Sequence, residues 1–175
     1  VRLELGHRLG LIPKPGEGDP AFLWVTPFPL LEYHEDDGRY YARHHPFTSP
    51  LAASFEDFMA GRNLDDVGAA AYDLVLNGME IAGGSLRIFR EDVQAQMFRV
   101  LGISPEEAKE KFGFFLEALE YGTPPHGGIA FGVDRLASIL CGAGAIRDVM
   151  AFPKTQKGQC MMSGSPSQVT PDQLA

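Results

Sequence analysis

The stretch Gly127-Gly128-Ile129-Ala130-Phe131-Gly132-Val133-Asp134-Arg135, running directly into Leu136-Ala137-Ser138-Ile139-Leu140, decides the reading of this chain. Its first half has the glycine and apolar content of a strand whose backbone a flat or bulky ligand can approach closely. Its second half has the spacing of a helix with an arginine in the first turn. A helix start gathers unpaired N–H groups and the positive end of the macrodipole, so it suits an anion. The Arg135 guanidinium adds a fixed fork of donors that fits phosphate. A strand that turns into a helix in this way describes a nucleotide site without a Walker-type loop.

Outward from that stretch, the chain alternates strand and helix signals. Residues Tyr72 to Ile81 read as two strands joined at Asn77-Gly78, a dipeptide favoured in tight hairpins. Phe22 to Leu31 is aromatic and strand-like, and its two prolines place it at an edge or make it irregular. Asp36-Asp37-Gly38-Arg39 is a turn leading to a returning strand at Tyr40-Tyr41-Ala42. Helical pieces are expected over residues 1–12, from Phe55 to Ala60, and from Arg90 to Leu101, where Val93, Met97 and Val100 share a face. Ser104-Pro105-Glu106-Glu107 is a helix start with a capping box, and that helix should run to about Leu119. Pro13 to Pro20 reads as a turn or linker. The pattern is α+β: an antiparallel or mixed sheet with helices packed on it.

Composition narrows the function classes. The 175 residues, 45% hydrophobic and 22% charged, are ordinary for one globular domain. The net charge of −8 excludes a chain that binds nucleic acid through overall basicity, although Lys154-Thr155-Gln156-Lys157 could meet a phosphate backbone locally. No apolar run approaches a membrane span, and the first residues do not resemble a signal peptide, so cytosol is the expected compartment. Cys141 and Cys160 have neither CxxC spacing nor histidine neighbours and read as buried thiols rather than a disulfide or metal site.

Four groups of polar residues carry candidate chemistry. Asp73 and Glu80 lie on opposite strands of the expected hairpin; they read either as two solvent-facing acids or as a carboxylate pair that holds Mg²⁺ together with substrate phosphates. Arg87 follows Glu80-Ile81-Ala82-Gly83-Gly84-Ser85-Leu86, and among apolar neighbours its charge needs a partner. A structural ion pair and a bound carboxylate satisfy that need equally well. In Arg43-His44-His45-Pro46-Phe47-Thr48-Ser49-Pro50, adjacent histidines in an extended segment point to opposite sides, which argues against zinc and for a loop that responds to a ligand's charge. Pro124-Pro125-His126 is a stiff lead-in to the glycine-rich strand.

These strings, in this order over residues 22–166, resemble bacterial-type aspartyl-tRNA synthetase, a class II aminoacyl-tRNA synthetase. The segments that carry the match are His44 to Pro50, Tyr72 to Gly78, Glu80 to Arg87, Lys111-Phe112-Gly113-Phe114, Pro124 to Gly128, Gly132 to Arg135, and Ala151-Phe152-Pro153-Lys154. The block around Arg135 resembles the third class II motif.

The resemblance implies an antiparallel class II sheet flanked by helices, with residues 1–20 as the end of an inserted domain plus linker. Residues 21–175 would be the C-terminal part of the catalytic core. It implies that Arg135 and Glu80 serve catalysis, with Gly132, Val133, Asp134 and Arg135 on ATP, and Asp73 with Glu80 on Mg²⁺. It implies that Arg87 pairs with the side-chain carboxylate of L-aspartate, near His44 and His45, of which His44 is expected to be the direct contact. The implied reaction makes aspartyl-adenylate and pyrophosphate from aspartate and ATP, then transfers the aspartyl group to the 3′-terminal ribose of tRNA-Asp with release of AMP, with tRNA-Asn left open as a second acceptor. The implied parent is a cytoplasmic homodimer.

Two positions depart from the family's pattern: Ala82 stands in place of a third glycine and Phe89 in place of a histidine. The chain also lacks counterparts of the first two class II motifs and of the anticodon-binding barrel, so the fragment alone is expected to be inactive. The alternative is a non-catalytic truncated paralogue that binds amino acid or nucleotide. A nearer rival is an asparagine-forming or asparaginyl enzyme, against which Arg87 favours aspartate.

Overall fold

The computed structural model describes residues 1–13 and 17–169. Two compact units are distinguished, Ala21–Phe131 and a second made of Val1–Pro20 with Gly132–Ala175. Residues 14–16 of the expected linker lie outside the described residues.

The unit Ala21–Phe131 is built on a four-stranded antiparallel sheet in the order β1 (Phe22–Val25), β6 (Ala71–Leu76), β7 (Met79–Leu86), β8 (Gly127–Phe131). β1 is an edge strand, as its prolines required: Pro27 has no N–H to continue a ladder, and the chain leaves the sheet there. It continues as β2 (Phe28–Pro29), which pairs with β5 (Gly68–Ala69), and then as the hairpin β3 (Leu31–His34) and β4 (Arg39–Ala42). The β6–β7 turn is Asn77-Gly78, both with positive φ (50° and 83°), the geometry that makes this dipeptide a hairpin signal.

Three α-helices complete this unit: α2 (Phe55–Ala60), α3 (Glu91–Val100) and α4 (Pro105–Glu120). Leu30, Leu31, Phe58, Val67, Ala69, Ala71, Ile88, Val93, Met97 and Leu101 form the core. The expected face of α3 is confirmed at Val93 and Met97, which are buried, while Val100 is only partly covered. The start of α4 is half of the expected capping box. Ser104 Oγ accepts from the Glu107 N–H at 3.2 Å, but the Glu107 carboxylate turns to Lys111 Nζ at 2.6 Å instead of reaching back. An i,i+4 partner outcompetes the reciprocal bond. α4 is also broken at Phe112 (φ −132°), whose ring stacks on Phe98 at 5.6 Å.

The second unit contains α1 (Arg2–Arg8) and α5 (Val133–Leu140), with Gly132 at the N-cap of α5. The strand-to-helix reading of Gly127 to Leu140 is confirmed. Neither cysteine is buried as expected: Cys141 is exposed just past α5 and Cys160 is half-buried in a loop, both as free thiols. Among the described residues, no helix is long and apolar enough to cross a membrane.

Candidate active site

A register shift in the central hairpin arranges the site. Leu74 pairs with Ala82 but Val75 pairs with Glu80, so Ile81 is an extra residue on β7, a β-bulge. Side chains alternate faces along a strand, and one inserted residue exchanges the faces of everything beyond it. Without the bulge, Glu80 would share its face with Ala82, Gly84 and Leu86. With it, Glu80 shares its face with Gly83, Ser85 and Arg87, and with Asp73, the ladder partner of Gly83. Arg87 continues this alternation beyond β7, bridging to Thr48 and donating its N–H to the His126 carbonyl at 2.9 Å.

The two carboxylates therefore converge. A Cβ placed on Gly83 would stand 2.6 Å from Asp73 Oδ1 and 3.7 Å from Glu80 Oε1, so only glycine leaves both in place. Burial and the Glu80 charge raise the Asp73 carboxyl above its ordinary range, and His44 offsets part of that rise. Two like charges held together, with a histidine nearby, describe a place that a cation would stabilise. Among the described residues no group of three or more His, Cys, Asp or Glu forms a metal cage. A pair of carboxylates is a donor set of the kind that holds Mg²⁺ together with phosphates and water.

The same bulge resolves the Ala82 departure. Ala82 pairs with Leu74 and Phe131 on the opposite face, so its methyl does not enter the space beside Asp73 and Glu80. Phe89 lines an apolar cavity of about 540 Å³ with Leu51, Phe55, Leu86 and Ile88.

At the other end of this face, Arg87 meets the histidine loop. Its Nη1 donates to His45 Nδ1 at 3.3 Å, and the Phe47 N–H donates to the same nitrogen at 3.2 Å. An imidazole nitrogen that accepts carries no proton, so His45 is neutral with its hydrogen on Nε2. Burial, then the Arg87 charge, lower the His45 pKa below 6.5. His44 turns elsewhere, edge-on to Phe28 at 5.0 Å between ring centres. The loop is anchored by Phe47, which packs on Phe98, Phe112 and Phe115, and by Gln94 Nε2 donating to the Pro46 carbonyl at 2.8 Å.

His44, His45, Asp73, Glu80 and Arg87 thus lie in one unit. Gly132, Val133, Asp134 and Arg135 belong to the other, where the Arg135 stem packs over Gly132, about 3.3 Å from where a Cβ would be. Sequence reasoning missed two features. One is the bulge, whose signal was present: Glu80 and Arg87 are an odd number of residues apart, so a regular strand could not aim both at one site. The other is Ser85, buried on the same face with a hydroxyl that has no partner among the described residues. No pattern in the sequence points to it.

Comparison with known proteins bears on this geometry. The profile of tRNA synthetases class II (D, K and N) matches residues 8–156. The chain belongs to that family. Among curated class II relatives, an aspartate–tRNA(Asp/Asn) ligase of Syntrophomonas wolfei is 59% identical over 99% of this chain and 29% of its own length. An aspartate–tRNA ligase of Geobacillus kaustophilus is 56% identical over the same shares. The chain therefore spans about 29% of the length of these relatives. An aspartyl-tRNA synthetase structure from Entamoeba histolytica matches with a TM-score of 0.57 at 20% identity, over 78% of this chain and 23% of that one. The asparaginyl-tRNA synthetase of the same organism, in complex with asparaginyl-adenylate, matches at 0.56 and 24% identity over 79% and 26%. These two matches establish the class II fold: helices on an antiparallel sheet.

Proposed function

We propose that this chain is the C-terminal part of the catalytic core of an aspartate–tRNA ligase, with residues 1–20 as the end of the domain inserted into that core. The observation that carries the reading is the shared face of Glu80, Asp73 and Arg87. A carboxylate pair stands at one end, a guanidinium at the other, and small residues lie between them. Gly83 and Arg87 are separated by about 13 Å at ~3.3 Å per residue. Ser85 lies between them on β7, with Gly128 and Ala130 opposite on β8. Such a floor accommodates a ligand with a carboxylate at one end and phosphates at the other.

On this reading Arg87 takes the side-chain carboxylate of aspartate in a charge-assisted fork, and a neutral amide gains less there. Asp73 and Glu80 hold Mg²⁺, which supplies countercharge to the phosphates of ATP. Gly132, Val133 and Asp134 shape the adenosine side, and Arg135 at the start of α5 grips the γ-phosphate. The α-carboxylate of aspartate attacks the α-phosphorus, pyrophosphate leaves, and the aspartyl group then passes to the 3′-terminal ribose of tRNA-Asp. No side chain need act as nucleophile, because alignment and charge stabilisation carry the reaction. The family resemblance adds a cytoplasmic homodimer as the working form. The 175-residue piece alone is inactive on this reading, since the α-phosphate also needs an arginine from a part of the fold that the chain does not include.

The test is aspartate-dependent pyrophosphate exchange in a protein that carries this chain within the full length of its relatives. Arg87→Leu should raise the aspartate KM by an amount worth about 2–5 kcal/mol, as for other truncated charge pairs, and leave the ATP KM nearly unchanged. An unchanged aspartate KM, or exchange that follows asparagine, defeats the reading. Charging of tRNA-Asp and tRNA-Asn by the same protein defines the acceptor.

A further inference from the structure

We propose that His45 is a positioning residue, which fixes the Arg87 guanidinium through its Nδ1 acceptor and leaves the guanidinium's charge free for a substrate carboxylate. The inference rests on the aspartate reading of Arg87 given above. It assigns His45 a task distinct from touching the substrate.

The Arg87 side chain is half-buried, and its hydrogen-bond partner among the described residues is a neutral ring nitrogen rather than a carboxylate. That choice has a chemical consequence. An aspartate or glutamate at this place would orient the guanidinium and also neutralise it, removing the attraction for an incoming carboxylate. A neutral acceptor orients it without neutralising it.

The acceptor is itself held from several sides. The Phe47 N–H donates to Nδ1, and Thr48 Oγ1 lies 3.4 Å from Nδ1 and 3.5 Å from Nε2. The loop backbone is tied to the strand end, with the Ser49 N–H on the Leu86 carbonyl and the Ile88 N–H on the Phe47 carbonyl, each at 2.9 Å. Gln94, wholly buried on α3, fixes Pro46 next to His45. The charged or titratable groups that act on His45 are Arg87 from the end of β7 and His44 on its own loop, and both disfavour the imidazolium. A protonated ring has no acceptor at Nδ1, so it would release Arg87 and repel it.

The experiment is pyrophosphate exchange in the full-length protein, with aspartate and ATP KM measured separately for wild type and for His45→Ala, His45→Asn, His45→Gln and Arg87→Leu. Asparagine carries its carbonyl at the reach of Nδ1, whereas glutamine carries its carbonyl at the reach of Nε2. His45→Ala should raise the aspartate KM about tenfold to a hundredfold, the worth of a hydrogen bond to a charged group, with little change for ATP. His45→Asn should restore most of that loss and His45→Gln should not. The wild-type aspartate KM should rise only once the pH falls below 6.5, and the His45→Asn profile should lack that rise. Melting temperatures of the Asn and Gln variants should agree, which separates positioning from a merely structural role. An unchanged aspartate KM in His45→Ala, or equal rescue by Gln and Asn, overturns the proposal while Arg87→Leu still reports on the aspartate reading. A wild-type protein without aspartate-dependent exchange overturns both.

Discussion

Glu80 and Arg87 stand on the same face of the sheet although their positions differ by an odd number, because Ile81 is bulged out of the β6–β7 ladder. The bulge is what turns a hairpin into a site. It brings Gly83 beneath Asp73 and Glu80, sends Ala82 to the other face, and lets the strand end present Arg87 on the same side as the carboxylates.

Substitutions at Gly83 and Ala82 should therefore have opposite consequences. A methyl at Gly83 would stand 2.6 Å from Asp73 Oδ1, too close for either to remain. Gly83→Ala should displace the Asp73 carboxylate and raise the Mg²⁺ concentration needed for half-maximal exchange by about tenfold, roughly the effect of losing one support of a metal site. Ala82→Gly removes a methyl that packs against Leu74 and Phe131, so it should lower thermal stability slightly and leave the Mg²⁺ requirement where it was. A Mg²⁺ titration of exchange activity, run beside thermal melts, checks both.

The two neighbouring glycines of the β7–β8 pair divide between fold and site. A Cβ on Gly84 would lie 1.9 Å from the Gly128 carbonyl oxygen, inside the backbone of the adjacent strand. Gly84→Ala should destabilise the protein by about 3 kcal/mol, the upper end for overpacking, as read by chemical denaturation. A Cβ on Gly128 meets nothing within 4 Å. Gly128→Ala should leave stability within about 0.5 kcal/mol of wild type. Because the added methyl projects onto the face that carries Ser85 and Arg87, it should raise the aspartate KM.

What the sequence revealed and what it hid follow from the range of the interactions. Asn77-Gly78 and Ser104 are legible because their signal is local: a positive φ and a hydroxyl within reach of an N–H three residues on. The strand and helix around Gly132 are legible for the same reason. The choice of Lys111 over the Ser104 N–H by Glu107 was not, since both partners sit at permitted spacings and only the settled rotamer decides. The bulge at Ile81 left one trace, the odd offset between Glu80 and Arg87, but any apolar residue can occupy a bulge, so that trace does not say where the extra residue lies or which faces Ala82 and Gly83 take. Arg87 and His45 are far apart in sequence, and spacing could not choose between an ion pair and a ligand for Arg87. It could not foresee that a neutral ring would be the partner.

Arg135 offers a test of the second unit by itself. It occupies the first turn of α5, where the N–H groups of the helix start are gathered, and its stem lies against Gly132. On the proposed reading it grips the γ-phosphate. Arg135→Ala should raise the ATP KM in exchange by about two orders of magnitude, in line with the loss of a charge-assisted pair worth about 1.5–3 kcal/mol. Gly132→Ala should have a smaller effect of the same kind, because the contact of 3.3 Å requires the stem to shift by only a few tenths of an ångström. An aspartate KM that moves as much as the ATP KM in either variant argues against the assignment.

His45 also gives a pH dependence of stability whose sign is fixed by its surroundings. Its folded pKa lies below 6.5 because burial and Arg87 disfavour the imidazolium, whereas an unfolded chain takes the proton near 6.5. As the pH falls through 6.5 the unfolded state binds a proton that the folded state refuses, so stability declines, and it stops declining once the pH is below the folded pKa. Above that window the residue contributes no slope. His45→Asn keeps an acceptor for Arg87 but cannot titrate, so its stability should be flatter than wild type as the pH falls from neutrality through 6.5. The difference should amount to a fraction of one proton, since His45 is only partly buried. Urea denaturation of both proteins across that range measures it. A wild-type protein that gains stability relative to His45→Asn as the pH falls would mean that the folded state prefers the charged ring, and the neutral acceptor for Arg87 would be lost with it.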